Sequence, residues 1–335
     1  MSGDPTPIVA VIGGGSWGTA LSLLLARNGL RVRLWDNNTD HVADMCRARE
    51  NRRYLPGISF PHLLTPLADL GDTVDGASDV LLVVPSHAFR TALLGLQPLL
   101  EGRSLAWATK GLEPGTGLLL HQVAQEVLDS LATAVISGPS FAKEVAKGLP
   151  TAVTVASTSL EHAAHWVGLL HAEHFRAYTS DDVIGLEVGG AAKNVLAIAA
   201  GISDGLEFGT NARSALITRG LAEMMRFGQA LGGRAETFMG LGGLGDLILT
   251  CTDDQSRNRR MGLALAHGMG VAEARAVIGQ AVEGVETART VYARAGEIGV
   301  EVPITEQTYR VLFEGLPPRE AVHSLLIREP RPETD

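Results

Sequence analysis

The chain has little cysteine. Cys46 and Cys251 are its only two, too few and too scattered for a disulfide framework or a cysteine metal site. Basic charge is also short, with 28 Lys and Arg against 37 Asp and Glu and a net charge of −9. That balance excludes general binding to nucleic acid or to anionic membranes, and an anionic ligand would need a local basic pocket. Met1 to Pro7 has neither a basic region nor an apolar core, so no signal peptide is expected. No apolar run reads as membrane-spanning, Val80 to Val84 being too short. The 10 histidines show no metal-ligand spacing, so no metal is expected. His162, His165, His171 and His174 read as solvated residues on or near one surface helix. There is no GxSxG elbow and no catalytic cysteine context. The expected setting is the cytoplasm. What remains is a chain of 335 residues, 45% hydrophobic, long enough for a sizeable core and for two domains.

The stretch Ile8-Val-Ala-Val-Ile12 is five apolar residues long and reads as a buried strand. A glycine turn follows, then a helical run from Trp17 to Asn28, stopped by Gly29 as a C′ residue. The spacing Gly13-x-Gly15-x-x-Gly18 has the form of a dinucleotide fingerprint. One glycine permits the tight turn, the second lets the backbone approach a pyrophosphate, and the third packs helix against strand. The helix start aims N–H groups and a partial positive charge at the phosphates. A second strand, Arg31 to Trp35, ends in Asp36, at the separation expected of a ribose-binding acid. The glycines alone are a weak signal, compatible with an ordinary βα turn. Strand, helix, second strand and acid in that order make dinucleotide binding the reading.

A helical segment is expected from Thr39 to Asn51, with a loop at Tyr54-Leu-Pro-Gly57. Apolar strands follow at Val80–Val84, closed by Pro85, at Leu105–Ala108, running into Thr109-Lys110-Gly111, and at Ala134–Ile136, running into Ser137-Gly-Pro-Ser140. Thr151–Ala156 and Phe175–Tyr178 read as further strands around a helix from Leu160 to His171. Continuous apolar strands alternating with helices predict a mostly parallel sheet covered on both faces. Ligands of such sheets sit beyond the carboxyl ends of the strands. Pro85, Lys110 and Gly138 should therefore converge on one crevice. From Asp181 strand signals stop and helical ones run to about Leu326. The expected domains are 1–181, dinucleotide-binding, and 182–335, helical and substrate-binding, with Arg328 to Asp335 frayed.

Lys193 is the most telling residue of the second part. It lies in Gly189-Gly-Ala-Ala-Lys193-Asn-Val-Leu-Ala-Ile-Ala-Ala200, a helix almost without other charge. Its face carries Gly189, Gly190, Ala197 and Ala200, so something bulky should lie there, another helix or a nicotinamide and substrate. A lysine held there loses hydration and can exchange a proton near neutral pH; a lysine snorkelling to the surface is the other reading. Lys110 is either a solvated loop residue or an orienting group over the crevice. Ser140 is expected to cap a helix beginning at Phe141. Met239-Gly-Leu-Gly-Gly-Leu-Gly-Asp246 repeats the glycine spacing without a preceding strand. It reads as close backbone approach that delivers Asp246, a carboxylate that would hold the Lys193 ammonium. Ser256-Arg257-Asn258 opens a helix and reads as a phosphate clamp, with Arg259 and Arg260 adding local positive charge, or as a plain polar loop. Glu283 could accept from ribose hydroxyls or simply favour a helix start.

Taken together the sequence resembles the bacterial NAD(P)-dependent glycerol-3-phosphate dehydrogenase family, over about residues 8 to 327. The motifs are Gly13-x-Gly-Ser-Trp-Gly-Thr-Ala20, Val84-Pro-Ser-His-Ala88, Thr109-Lys-Gly111, Ser137-Gly-Pro-Ser-Phe-Ala142, Lys193-Asn194, Gly242-Gly-Leu-Gly-Asp246 and Ser256-Arg-Asn258. The resemblance implies a Rossmann-type α/β domain followed by an all-α domain, the 6-phosphogluconate dehydrogenase-like arrangement. It implies reversible reduction of dihydroxyacetone phosphate to sn-glycerol 3-phosphate, feeding phospholipid synthesis, in a cytoplasmic enzyme that is often a homodimer. It makes Lys193 the proton donor and acceptor. It places Lys110, Gly138, Ser140, Asp246, Ser256, Arg257 and Asn258 on the substrate. On the cofactor it places Ser16, Trp17, Tyr54, Lys110, Ala142, Arg257, Ala281 and Glu283, beside Gly13, Gly15 and Gly18. One departure matters. Relatives that use NADPH well commonly carry arginine or histidine after the second strand, where this chain has Asp36-Asn37-Asn38. An acid there repels a 2′-phosphate and accepts from a free 2′-hydroxyl, so NAD(H) is expected over NADP(H). A reductase of 3-hydroxy acids or ketopantoate, needing a carboxylate clamp, and a cofactor-sensing binding protein are the alternatives.

Overall fold

In the computed structural model the strands alternate between two cores. It describes residues 7–128 and 131–327, so the expected fraying of Arg328 to Asp335 falls outside the described residues. The strands are β1 (Ile8–Ile12), β2 (Arg31–Trp35), β3 (Leu64–Leu67), β4 (Asp79–Leu82), β5 (Ser104–Trp107), β6 (Thr133–Ser137), β7 (Thr151–Ala156) and β8 (Phe175–Ser180). Val9 and Val11 of β1 enter one core with Leu81, Ala106, Ala134 and Ile136. Ala10 and Ile12 enter the other with Val80, Leu82, Leu105, Trp107 and Val135. Side chains of a strand alternate faces, so a strand apolar at every position must be covered on both. Helices do the covering, Ser16–Arg27 and Leu160–Leu170 on the first face, Ser86–Leu96 and Leu120–Val127 on the second.

The sheet order is β3-β2-β1-β4-β5-β6-β7-β8. All pairs are parallel except β6 with β7. The order turns back between β1 and β4, the switch point where such sheets bind ligands. Three sequence expectations are corrected. Strand β3 was not anticipated, because Pro66 interrupts Leu64-Thr-Pro-Leu67; the strand lies on the edge, paired only with β2, where a proline is tolerated. His162 and His165 are not simply solvated. His165 Nε2 lies 2.5 Å from the buried carboxylate of Asp79, and His162 Nε2 donates to Leu105 O at 3.0 Å. Finally, the helix Val183–Gly205 does reach membrane-spanning length, with a mean hydropathy of 1.5. Its most apolar stretch is 94% buried inside the protein, which accounts for the composition.

The chain divides into two units. The first runs to Glu113 and resumes for Leu118–Glu187; the second takes Pro114–Gly117 and everything from Val188. The division falls inside the helix Val183–Gly205, where expectation placed it at 181/182. Among the described residues the second unit is helical from there to Leu326, with Pro303 and Pro318 opening the last two helices. Val195, Ile198 and Ile202 pack with Met261, Leu265, Val285 and Val311 in its core.

The second unit also buries a carboxylate, Glu223, at the start of the helix Pro303–Phe313. It accepts from Ile304 N at 2.7 Å, Thr305 N at 2.9 Å and Thr305 Oγ1 at 2.6 Å. Burial outweighs these donors and pushes the carboxyl above its ordinary value. A raised carboxyl contributes stability that is full below its unfolded value, 4.5, and is lost as pH rises through the folded value. Glu223→Gln, which keeps one acceptor and never ionises, should flatten the fall of unfolding free energy with rising pH. Denaturant titrations across pH 4 to 9 check this, and an unchanged slope contradicts it.

Candidate active site

The glycine turn after β1 is built by close approach. Gly13 has φ +127°, and a Cβ there would collide with Val83 O. A Cβ on Gly18 would collide with Gly13 O, so the helix Ser16–Arg27 can sit this close only without side chains. At Gly15 a Cβ would meet no atom within 4 Å. Gly15 is also the N-cap, and no side chain caps this helix start. Open backbone N–H groups with the dipole behind them suit a pyrophosphate. Trp17 Nε1 is buried without a hydrogen bond among the described residues. These features fit a bound dinucleotide. The other end of the helix closes as expected, with Gly29 N bonded to Ala26 O and Leu30 N to Leu25 O.

Asp36 follows β2 and lies against Gly14, where a Cβ would come within 2.6 Å of Oδ2. Oδ1 accepts from Asn38 N at 2.9 Å. Asn37 is exposed and Asn38 caps the helix Thr39–Ala48. Gly14, Thr19, His41 and Asn51, which the sequence reading passed over, form the wall behind Asp36. Asn51 Nδ2 donates to Gly14 O and to Thr19 Oγ1, both at 2.8 Å, and Asn51 Oδ1 accepts from Tyr54 N at 3.0 Å. The one signal in the sequence was the middle glycine of Gly13-Gly-Gly15, which the fingerprint itself does not require.

Beyond the strand ends, Thr109 Oγ1 bonds Val84 O at 2.7 Å and ties the loop after β5 to the end of β4. Lys110 Nζ reaches Gly138 O at 3.2 Å. Ser140 Oγ donates to the same oxygen at 3.0 Å, so Lys110, Gly138 and Ser140 do meet. Ser140 is not the helix cap. The next helix is Ala142–Lys147, its N-cap is Phe141, and the Ser140 hydroxyl turns back to the strand end instead.

In the second unit Lys193 and Asp246 form a buried ion pair. Lys193 Nζ lies 2.5 Å from Asp246 Oδ1, with side-chain exposures of 8% and 1%. Thr250 Oγ1 stands 3.0 Å from the same nitrogen. The pairing depends on glycine. Residues Leu241–Gly245 make a wide helical turn of the π type, and a Cβ on Gly189 would collide with Gly242 O. Gly189 lies one turn before Lys193 on the same helix face, so the turn that rests on it carries Asp246 to the ammonium. The bulky neighbour expected at Gly189 is this turn. Cys251 follows Thr250, wholly buried, its thiol pushed up to about 12 by desolvation.

Ser256 Oγ accepts from Arg259 N at 3.2 Å and caps the helix Arg257–Ala266. Arg257 Nη1 stands 3.4 Å from Gln280 Oε1, beside Ala281 and just before Glu283, the first residue of the helix Glu283–Glu297. The Asn258 side chain links two partners, donating to Asn194 Oδ1 at 2.8 Å and accepting from Gly284 N at 2.9 Å. Arg259 is not the local positive charge that was expected. It is buried, it pairs with Asp204 at 2.7 Å and with Asp254, and it donates to Cys251 O at 3.2 Å. Its charge is spent inside the protein, and Arg257 and Arg260 remain the basic residues of the clamp region. Among the described residues no group of three His, Cys, Asp or Glu is placed to hold a metal.

A dinucleotide turn in one unit and a lysine kept in its own buried carboxylate pair in the other are the marks of an NAD(P)-dependent oxidoreductase. Comparison narrows the class. Residues 8–163 match the N-terminal family model of NAD-dependent glycerol-3-phosphate dehydrogenase and residues 182–323 the C-terminal one. A glycerol-3-phosphate dehydrogenase [NAD(P)+] of Nitrosococcus oceani is 58% identical, covering 96% of this chain and 94% of its own. That of Methylococcus capsulatus is 56% identical, covering 98% of both. The crystal structure of glycerol-3-phosphate dehydrogenase from Coxiella burnetii superposes with a TM-score of 0.94 at 50% identity, covering 96% of this chain and 99% of its own. The chain belongs to the NAD-dependent glycerol-3-phosphate dehydrogenase family.

Removing Asp246 should be costly, because it strips a carboxylate from a buried ammonium. Asp246→Ala is expected to lower the unfolding free energy by about 3–5 kcal/mol, read by denaturant titration. A change within experimental error would mean that the pair is not buried in solution.

Proposed function

We propose that the protein catalyses reversible hydride transfer between a nicotinamide cofactor and dihydroxyacetone phosphate, giving sn-glycerol 3-phosphate for glycerophospholipid synthesis. The observation that supports this most directly is the buried Lys193–Asp246 pair in a chain of this family. When bound, the nicotinamide supplies or receives the hydride. Lys193 stabilises the developing alkoxide as an ammonium and gives it the proton. Asp246 and Thr250 keep the amine aimed. Lys110, with Gly138 and Ser140, orients substrate oxygens. Ser256, Arg257 and Asn258 hold the phosphate, Asn258 through its backbone, since its side chain is already engaged. Phosphate binding remote from the reacting carbon orients the ketone. Gly13, Gly15, Ser16, Trp17, Gly18, Tyr54 and Ala142 belong to the cofactor's site, with Ala281 and Glu283 carried over from the family. Asp36 and Asn37 favour NAD(H) over NADP(H). A homodimer working in the cytoplasm is carried over with the same reading.

Lys193→Ala should cut kcat by about 10²–10⁴-fold while NADH binding, followed by its fluorescence, survives. Near wild-type turnover would remove Lys193 from the chemistry. Arg257→Ala should raise KM for dihydroxyacetone phosphate about tenfold or more and spare kcat; an unchanged KM reassigns the clamp. In the wild type, kcat/KM should be higher with NADH than with NADPH, and the reverse order would overturn the reading of Asp36.

A further inference from the structure

The Asp36 carboxylate is boxed by Asn38 N on Oδ1, the Gly14 backbone and the His41 ring, and Asn51 anchors the last two from behind. Asn51 is wholly buried. The atom facing Gly14 O at 2.8 Å must be its amide nitrogen, because a carbonyl oxygen only accepts. The other atom is therefore the oxygen, and Tyr54 N donates to it. His41 Nε2 stands 3.0 Å from that same oxygen, so Nε2 must carry a hydrogen. The ring is thereby fixed, with its other nitrogen turned to the ribose acid. Nδ1 lies 3.3 Å from Asp36 Oδ2 and makes no hydrogen bond among the described residues. Both ring nitrogens face acceptors, so this approach is an ion pair only when the ring carries both protons as an imidazolium. The ring is buried and sets its edge against Tyr54, with centroids 5.2 Å apart at 82°. His41 thus touches two residues of the proposed cofactor site and is held by a third group, Asn51, that also holds the glycine turn.

We propose that His41 is a positioning residue for cofactor choice: its Asn51-anchored ring, as an imidazolium, holds the Asp36 carboxylate where it accepts from a free 2′-hydroxyl and repels a 2′-phosphate. With Asn38 N on Oδ1 and the Gly14 backbone behind, His41 closes the remaining side. Without it the carboxylate swings, which weakens the bond to the hydroxyl and relieves the repulsion of the phosphate. Both effects move the preference in one direction. The inference rests on the reading that Asp36 discriminates between the two cofactors.

The test measures Kd for NADH and for NADPH by fluorescence titration in Asp36→Asn, His41→Gln, His41→Asn and the Asp36→Asn/His41→Gln double variant. A glutamine amide replaces Nε2 and keeps Asn51 but leaves Asp36; an asparagine amide replaces Nδ1 and keeps Asp36. His41→Gln is expected to lower the preference for NADH about fivefold, the scale of one ion pair. His41→Asn should keep most of it. In the double variant the His41 change should add nothing to Asp36→Asn. If Asp36→Asn leaves the preference unchanged, the reading of Asp36 fails. If Asp36→Asn lowers it and His41→Gln does not, or if His41→Gln weakens both cofactors equally, the His41 inference fails while Asp36 stands. Should His41→Gln not fold, His41→Asn still decides, since loss of the preference there overturns the proposal.

Discussion

The ammonium of Lys193 is the constraint around which the second unit is arranged. A charge withdrawn from water to this degree is tolerated only with an opposite charge and further hydrogen bonds in place. Asp246 and Thr250 meet that requirement, and both arrive on one short helix, Asp246–Thr252, at i and i+4. The helix is delivered by a turn of glycines that can lie on the bare surface at Gly189. The glycine-rich stretch and the apolar lysine helix are therefore one device, written in two segments far apart in the chain.

The first unit follows a different logic. Its strands are apolar on both faces, so the sheet must be covered twice, and polar function is left to the loops at the strand ends. Those loops are tied through backbone carbonyls at the strand ends. Gly138 O receives both Lys110 and Ser140. Val84 O receives Thr109. Carbonyls at strand ends have no ladder partner beyond the sheet, and here they fix Thr109, Lys110 and Ser140.

Much of this was legible in the sequence because the signals were local. The run Ile8–Ile12, the glycine spacing and the acid after the second strand lie within one βαβ unit, and periodicity with turn chemistry suffices to read them. Lys193 and Asp246 were legible as a pair by chemical reasoning, since a lone lysine in so apolar a helix demands a partner. What escaped were choices made at long range. Asp79 stands 86 positions from His165, and nothing near either residue announces the other. Arg259 looked like free positive charge because its partner Asp204 lies 55 positions away in another helix. Ser140 has the composition of a cap, but a strand-end carbonyl competes for its hydroxyl and wins. Strand β3 was hidden by a proline that only an edge position accommodates.

Cys251 carries a consequence of its own. It is the buried thiol of the pair and sits next to Thr250, while Cys46 is exposed. A thiol kept protonated and out of water is inert toward alkylating reagents and peroxides. In the intact fold such reagents modify Cys46 alone. Labelling at Cys251 thereby becomes a clock for local opening around the lysine helix, one that ticks only when that part of the molecule breathes.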